Sequence, residues 1–412
     1  MTSAIPESCG LVLAGGGARG AYEAGVLYYL YCDGPAELRE RARFKVLAGT
    51  SVGALNVSAL AASAQNPTVG VRKLADLWKG LSLDSLLPMG MGDLVSVPAW
   101  LLGRKSRDSL LPGIGVKQFV AKSIDWEQIH RNLANGDLNA VSLSCTHVPT
   151  GRTVVFYETR DGRARPWSRD PHVTAISTRL GPSHARASAA IPLLFPPVSI
   201  DGIPYVDGGL RQNTPLSPAL RLGSTRILVV GVSQEKRPRE NLPREDTAVH
   251  VDSLGRPIFM MGKVLNALML DHVDYDLIRL EHFNHLIHDG EMAFGKDFVD
   301  RLNHVLHGQR GAHYRYIPHL TLRPSKDIGS MAAEYARSRE FMRGDRGVTA
   351  RLIRTLARAE PRTEADLTSY LLFDGGFAER LMELGMEDAA QKRDALLRFF
   401  DDPKGGTPST PR

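Results

Sequence analysis

Short uninterrupted apolar runs, each handing over to glycines and then to a helix-like stretch, mark the first fifty residues. Leu11-Val12-Leu13-Ala14 has no polar interruption, so it reads as a strand buried on both faces, and it ends at Gly15-Gly16-Gly17. Val26, Leu27 and Leu30, with Tyr22 a turn earlier, then recur at helical spacing. Phe44 to Ala48 reads as a second strand, and Ala54 to Ala62 as a helix of small residues. Strand–helix–strand–helix predicts an α/β layered fold.

Further along, Leu138 to Cys145 and Thr153 to Glu158 predict a hairpin around Pro149-Thr150-Gly151. A helix is expected from about His172 to Ala190, stopped by Pro192. Val198-Ser199-Ile200 and Ile203 to Val206 flank Asp201-Gly202, a strong tight-hairpin signal. Ile227 to Val232 is a further buried strand, and the polar segment Gln234 to Pro257 reads as a linker or surface loop. A long helical stretch with Phe259, Met260, Val264, Leu268 and Val273 among its apolar positions follows, then a strand at Ile317 to Leu322. Helices are expected from there to Phe400, with a frayed tail behind them. No internal repeat is evident.

Composition narrows the class. Over 412 residues, 43% hydrophobic and 23% charged is the balance of an ordinary globular protein with a large core. A net charge of +6, mainly from arginine, is too mild to point to nucleic acid but suits an anionic membrane surface. Cys9, Cys32 and Cys145 have no metal-ligand spacing and cannot form an even disulfide framework, so a reducing, cytoplasmic setting is expected. Met1 to Gly10 lacks the features of a cleaved signal peptide, and no stretch reaches the ~20 apolar residues that span a bilayer. Leu81 to Leu102 is the most apolar candidate, but Asp84, Pro88, Asp93 and Pro98 break it. With Met89, Met91 and Trp100, it reads either as a lid or interfacial patch or as a short helix packed on the core.

Three local signals carry chemistry. Gly49-Thr50-Ser51-Val52-Gly53 places a serine between glycines at a strand-to-helix turn, the nucleophile-elbow pattern. Ser51 taken alone could equally be the N-cap of the following helix. Gly15-Gly16-Gly17-Ala18-Arg19-Gly20 fits G-x-G-x-x-G, so a dinucleotide site is one reading. That reading requires a carboxylate at the tip of the next strand, and Gly49-Thr50-Ser51 stands there instead. An oxyanion hole of backbone N–H groups is the better use of such a loop. Asp207-Gly208-Gly209 ends the strand at Tyr205-Val206, where an α/β fold sets its active-site loops, although it could be one more Asp-Gly turn. Asp374-Gly375-Gly376 repeats the tripeptide among helices and reads as a turn or helix cap. With 13 histidines, His147 and His184 the better placed, residue counts leave a Ser-His-Asp triad open.

These elements in this order closely resemble the patatin-like phospholipases. Ala187 to Pro197, then Asp201-Gly202 through Asp207-Gly208-Gly209-Leu210, Asn213, Pro215 and Leu216 continue that family's pattern without a gap. The resemblance spans residues 8–233, with weaker similarity over Ile258 to Leu280 and Leu320 to Tyr335. It implies a three-layer α/β/α fold with a central, mostly parallel sheet and a C-terminal helical extension. The implied organisation is an acyl hydrolase core over 8–233, a linker or surface loop over 234–257, helices and a strand completing the core over 258–325, a helical extension over 326–402 and a disordered tail over 403–412.

The resemblance also implies roles. Ser51 would be the nucleophile and Asp207 its proton acceptor, in a dyad without histidine. The amides of Gly15, Gly16 and Gly17 would form the oxyanion hole, with Arg19 as the basic residue beside them. Gly20, Gly49, Gly53, Gly208 and Gly209 would support the turns. The implied substrate is a membrane phospholipid or another lipid ester, met by peripheral contact at a membrane, with neither cofactor nor metal. Oligomeric state is left open.

Overall fold

A computed structural model of the chain describes residues 8–86, 113–165, 167, 171–234, 264, 272–305, 314–344, 347–360 and 366–401. The N-terminal half runs β1 (Cys9–Leu13), α1 (Gly20–Tyr28), α2 (Ala36–Arg41), β2 (Val46–Thr50), α3 (Val52–Ala61), α4 (Pro67–Lys79) and α5 (Leu83–Leu86). After these come α6 (Ile114–Ser123), α7 (Trp126–Asn135), β3 (Ala140–His147), β4 (Thr153–Thr159), β5 (Val173–Ser177), α8 (Pro182–Ser188), β6 (Val198–Ile200) and β7 (Ile203–Asp207). The chain continues with α9 (Leu216–Arg221), β8 (Arg226–Val230), α10 (His272–Phe294), α11 (Phe298–Val305) and β9 (His319–Leu322). Its last part is helical: α12 (Ile328–Arg337), α13 (Arg339–Gly344), α14 (Val348–Ala359), α15 (Asp366–Leu371), α16 (Gly375–Gln391) and α17 (Arg393–Asp401).

The strands form one sheet in the order β5-β4-β3-β2-β1-β8-β9, with the hairpin β6–β7 attached to β3. From β3 to β9 along that order every pair is parallel, while β4 and β7 run antiparallel to β3. Side chains of a strand alternate between faces, so the apolar runs feed two cores. Leu11, Leu13, Leu47, Leu228 and Val230 enter the larger one with α1, α3, α4, α8 and the C-terminal helices. Val12, Val46, Ala48, Ile227 and Val229 enter the smaller one, closed by Leu216 and Ala219 of α9 and Leu277 and Leu280 of α10. The result is the expected α/β/α layering.

Most expected elements stand within two residues of their places, including both hairpins; Asp201, at φ 51°, and Gly202, at φ 80°, turn the second one. The helix expected over His172 to Ala190 is a correction. Val173–Ser177 instead adds a strand beside β4, and the helix begins only at Pro182, where proline suits the first turn. Val173, Thr174 and Ile176 are β-branched, and a free ladder edge on β4 decides for strand. Asp374 caps α16, its carboxylate accepting from the Phe377 amide. The expected linker, most of the helical stretch beginning at Phe259, the part of the apolar stretch beyond Leu86 and the tail lie outside the described residues.

Helix α16 crosses α1 at backbone contact. A Cβ on Gly25 would stand 2.1 Å from the Met382 carbonyl oxygen, and one on Gly385 would stand 2.3 Å from that of Tyr22. Alanine gains helix propensity over glycine, by about 1 kcal/mol, but overpacking against rigid backbone costs more. Gly25→Ala is therefore expected to lower stability by about 1–3 kcal/mol, read as a lower urea midpoint. An unchanged midpoint would mean that the two helices separate freely.

Candidate active site

Strand β3 is longer than β2, and the site depends on the difference. Val46 to Thr50 pair with Ala140 to Ser144; there β2 ends, while β3 runs on. Hairpin strand β7 then takes the same edge from the opposite direction, setting Asp207 opposite Cys145, Val206 opposite Thr146 and Tyr205 opposite His147. The last residue of β2 and the last of β7 thus face consecutive positions of one strand. Ser51 follows directly, and its Oγ donates to Asp207 Oδ2 at 2.5 Å. Both residues are buried.

Ser51 adopts φ 54°, ψ −125°, a backbone conformation that a side chain rarely takes and that costs on the order of 1–3 kcal/mol. It precedes α3 without capping it, since its hydroxyl bonds no backbone amide of the helix. The elbow is held from beside: Ser51 N–H donates to Ser188 Oγ at 2.9 Å, and that hydroxyl donates to the Ser144 carbonyl at 2.6 Å. The turn also leaves no room. A Cβ on Gly49 would meet the Gly53 carbonyl at 2.4 Å, and one on Gly53 the Leu13 carbonyl at the same distance.

The glycine loop comes off the end of β1 beside this turn. A Cβ on Gly15 would lie 2.9 Å from that of Ser51. The Gly15 amide, expected in the oxyanion hole, instead donates to the Asn213 carbonyl at 3.1 Å, while Asn213 Nδ2 donates to the Gly15 carbonyl at 3.1 Å. That pairing leaves the Gly15 amide already engaged. Among the described residues the Gly16 and Gly17 amides have no acceptor. Gly17 has φ 58° and rests on the Tyr370 carbonyl, 2.4 Å from where a Cβ would be. Gly20 packs on Val52, and Gly208 on the Ser144 carbonyl. Arg19 does not reach the serine; it points to α15, with Nε donating to Ser369 Oγ at 2.8 Å.

Asp207 uses both oxygens, since Oδ1 accepts from the Gly209 amide at 2.7 Å. Burial pushes its carboxyl up to about 7, against the pull of the hydrogen bonds from Ser51 and Gly209. Among the described residues no histidine bonds to the pair: His147 Nδ1 meets Thr150 Oγ1 and His184 Nδ1 accepts from the Gly181 amide. Among the described residues no group of His, Cys, Asp or Glu could hold a metal ion, and no helix is long and apolar enough to cross a membrane.

Ser51 lines a cleft that is partly open to solvent. Leu55 and Ala59 of α3, Trp78 of α4, Phe119 of α6 and Phe195 line it, and it is almost wholly apolar. A buried hydroxyl–carboxylate pair, unpaired glycine amides and an apolar cleft suit transfer of a greasy acyl group.

The family model for patatin-like phospholipase matches residues 11–220, half of the chain, and takes in both Ser51 and Asp207. The chain belongs to the patatin-like phospholipases. Family membership supports lipid hydrolysis as the activity of this patatin-like phospholipase. No curated protein matches the chain. VipD from Legionella pneumophila aligns over 90% of this chain and 92% of its own at 12% identity, TM-score 0.28. Human GIVD cytosolic phospholipase A2, in complex with methyl gamma-linolenyl fluorophosphonate, aligns at 13% identity and TM-score 0.40; 96% of this chain covers 58% of that one. The ExoU–SpcU heterodimer of Pseudomonas aeruginosa aligns over 89% of this chain and 74% of its own at 12% identity, TM-score 0.26.

Two site residues had no role in the sequence reading. Ser188 and Asn213 lie within the quoted family segments, but nothing local distinguishes a serine that bridges two strands from any other. The raised carboxyl of Asp207 has a stability consequence whose sign follows from linkage. The folded state holds its proton to about 7, the unfolded state only to about 3.9, so stability declines as pH rises between those values. Asp207→Asn removes the charge and leaves one acceptor oxygen: its Oδ1 can keep the Gly209 amide contact, while its Nδ2 donates to Ser51 Oγ. It is expected to raise the thermal midpoint of this patatin-like phospholipase at about pH 8, by about 2–4 kcal/mol in stability, and to leave it unchanged at about pH 4.

Proposed function

We propose that this chain hydrolyses carboxylic esters of lipids through a Ser51–Asp207 dyad and an acyl-enzyme. The observation that carries the reading is the 2.5 Å hydrogen bond between Ser51 Oγ and Asp207 Oδ2, buried against an apolar cavity. Asp207 takes the hydroxyl proton as Ser51 Oγ attacks the ester carbonyl carbon. The oxygen that gains the electron pair turns toward the Gly16 and Gly17 amides, whose hydrogens stabilise its charge. Collapse breaks the ester bond, and the departing alcohol or lysolipid takes the proton from Asp207. Water then repeats the sequence on the acyl-enzyme, giving Asp207 its proton, and the fatty acid leaves with the Ser51 hydroxyl restored.

The substrate reading, a phospholipid or lysophospholipid acyl group, is supported by the family and by the cavity, whose walls offer an acyl chain contact along its length. A carboxyl titrating near neutrality suits a base that must both accept and return a proton. Only its ionised form accepts the proton, so kcat/KM is expected to rise with pH through a midpoint at about 7 and to level off above it.

Ser51→Ala and Asp207→Asn are expected to lose at least about a thousandfold in ester hydrolysis. Mass spectrometry of products from mixed phospholipid, lysolipid and triacylglycerol substrates is the readout, and wild-type rates in either variant would refute the dyad. Filling the cavity with Ala59→Trp should cut hydrolysis of long-chain esters about tenfold or more relative to short-chain ones. An equal loss on both would place the acyl chain elsewhere.

A further inference from the structure

The glycine loop is a flexible element asked to hold two amides in fixed positions. Three consecutive glycines have more conformational freedom to lose than any other tripeptide, so their placement has to come from outside the loop. Its upstream end is held at Gly15, by the paired hydrogen bonds with Asn213. Its downstream end is held from far along the chain. Arg19, only 4% exposed, closes the turn Gly17–Arg19 and does not line the cavity. Its Nη2 meets Asp366 Oδ1 at 3.1 Å, its Nε donates to Ser369 Oγ at 2.8 Å, and its guanidinium lies 4.5 Å above the Tyr370 ring. Residues 366, 369 and 370 share one face of α15, and the same turn presents the Tyr370 carbonyl on which Gly17 rests.

Helix α15 is itself fixed. The Glu360 carboxylate accepts from the Leu367 amide at 2.8 Å, the Thr368 amide at 3.0 Å and the Thr368 hydroxyl at 2.6 Å, satisfying its first orphan donors. Ser369 Oγ donates in turn to the Asp366 carbonyl at 2.7 Å, so its lone pairs face Arg19. The geometry is that of a clasp: a planar cation gripped by a carboxylate, a hydroxyl and a ring, every partner supplied by one helix.

We propose that Asp366 and Ser369 are positioning residues for the hydrolysis: by gripping Arg19 they hold the Gly16 and Gly17 amides where the oxyanion forms. This rests on the acyl-transfer reading given above. Neither residue touches the substrate; each acts through Arg19 on the loop. Their loss should therefore weaken transition-state stabilisation and leave acyl-chain binding as it was.

The test uses the full chain with Asp366→Asn, Asp366→Ala, Ser369→Ala and Arg19→Lys. Steady-state hydrolysis of a soluble long-chain p-nitrophenyl ester is measured with the rate of labelling by a fluorophosphonate, and active sites are counted from the labelled fraction. Per active site, kcat is expected to fall about tenfold to a hundredfold, with KM within about twofold. The labelling rate should fall in parallel, and the pH midpoint should stay where the wild type has it, because Asp207 is untouched. Asp366→Ala should lose more than Asp366→Asn, whose carbonyl still accepts from Arg19. If Asp366→Ala does not fold, Ser369→Ala, which removes one hydroxyl, carries the test. Wild-type kcat per active site in folded Ser369→Ala and Asp366→Asn would overturn the clasp while leaving the dyad intact. A wild-type protein that neither labels nor hydrolyses esters would overturn the acyl-transfer reading, and this inference with it.

Discussion

One strand acting as a ruler for two others makes the pairing of Ser51 and Asp207 possible. The two residues are 156 positions apart, and no local feature of either turn brings them together. Strand β3 does so, because its eight residues outrun the five of β2 and leave a ladder edge that β7 takes up from the far side. Backbone hydrogen bonds set the register in steps of one residue, so the spacing of hydroxyl and carboxylate is specified as tightly as the sheet itself. The bridge through Ser188 and the hydrogen bond from the Asp207 amide to the Ala190 carbonyl tie α8 and the stretch after it to the same point.

Placing that pair out of water gives it chemical character and makes it costly to the fold. A carboxyl surrounded by protein holds its proton far above the range of an exposed aspartate. The positive φ of Ser51 adds strain at the same spot. Rigid surroundings, with two apolar cores against the sheet and glycine contacts that admit no side chain, are what allow an unfavourable arrangement to persist. The stability lost at the site is offset across the rest of the molecule.

The fold was largely legible because its signals are local. Apolar runs such as Leu11 to Ala14 and Ile227 to Val232, the Asp201-Gly202 turn and the serine elbow each carry their own physical reason. Val173–Ser177 was misread as helix because an edge strand is decided by the strand it joins, and β4 is not visible from within that segment. Ser51 and Asp207 were expected together through the family resemblance, and their side chains do meet. The fate of the Gly15 amide was not legible, since it depends on Asn213, 198 residues away. Arg19 was expected as the basic residue beside the loop, but its partners on α15 lie 347 and 350 residues downstream in a stretch with no motif of its own.

That distance along the chain has a meaning for biosynthesis. A polypeptide emerges from its N-terminus, so the segment from β1 to Asp207 is made before β8, α15 and α16. At that moment β1 still lacks β8 on one side, α16 has not been laid across α1, and the helix that grips Arg19 does not yet exist. A nascent chain therefore carries Ser51 and Asp207 before it carries their support, and the loop beside Ser51 reaches its final footing only once α15 has been added.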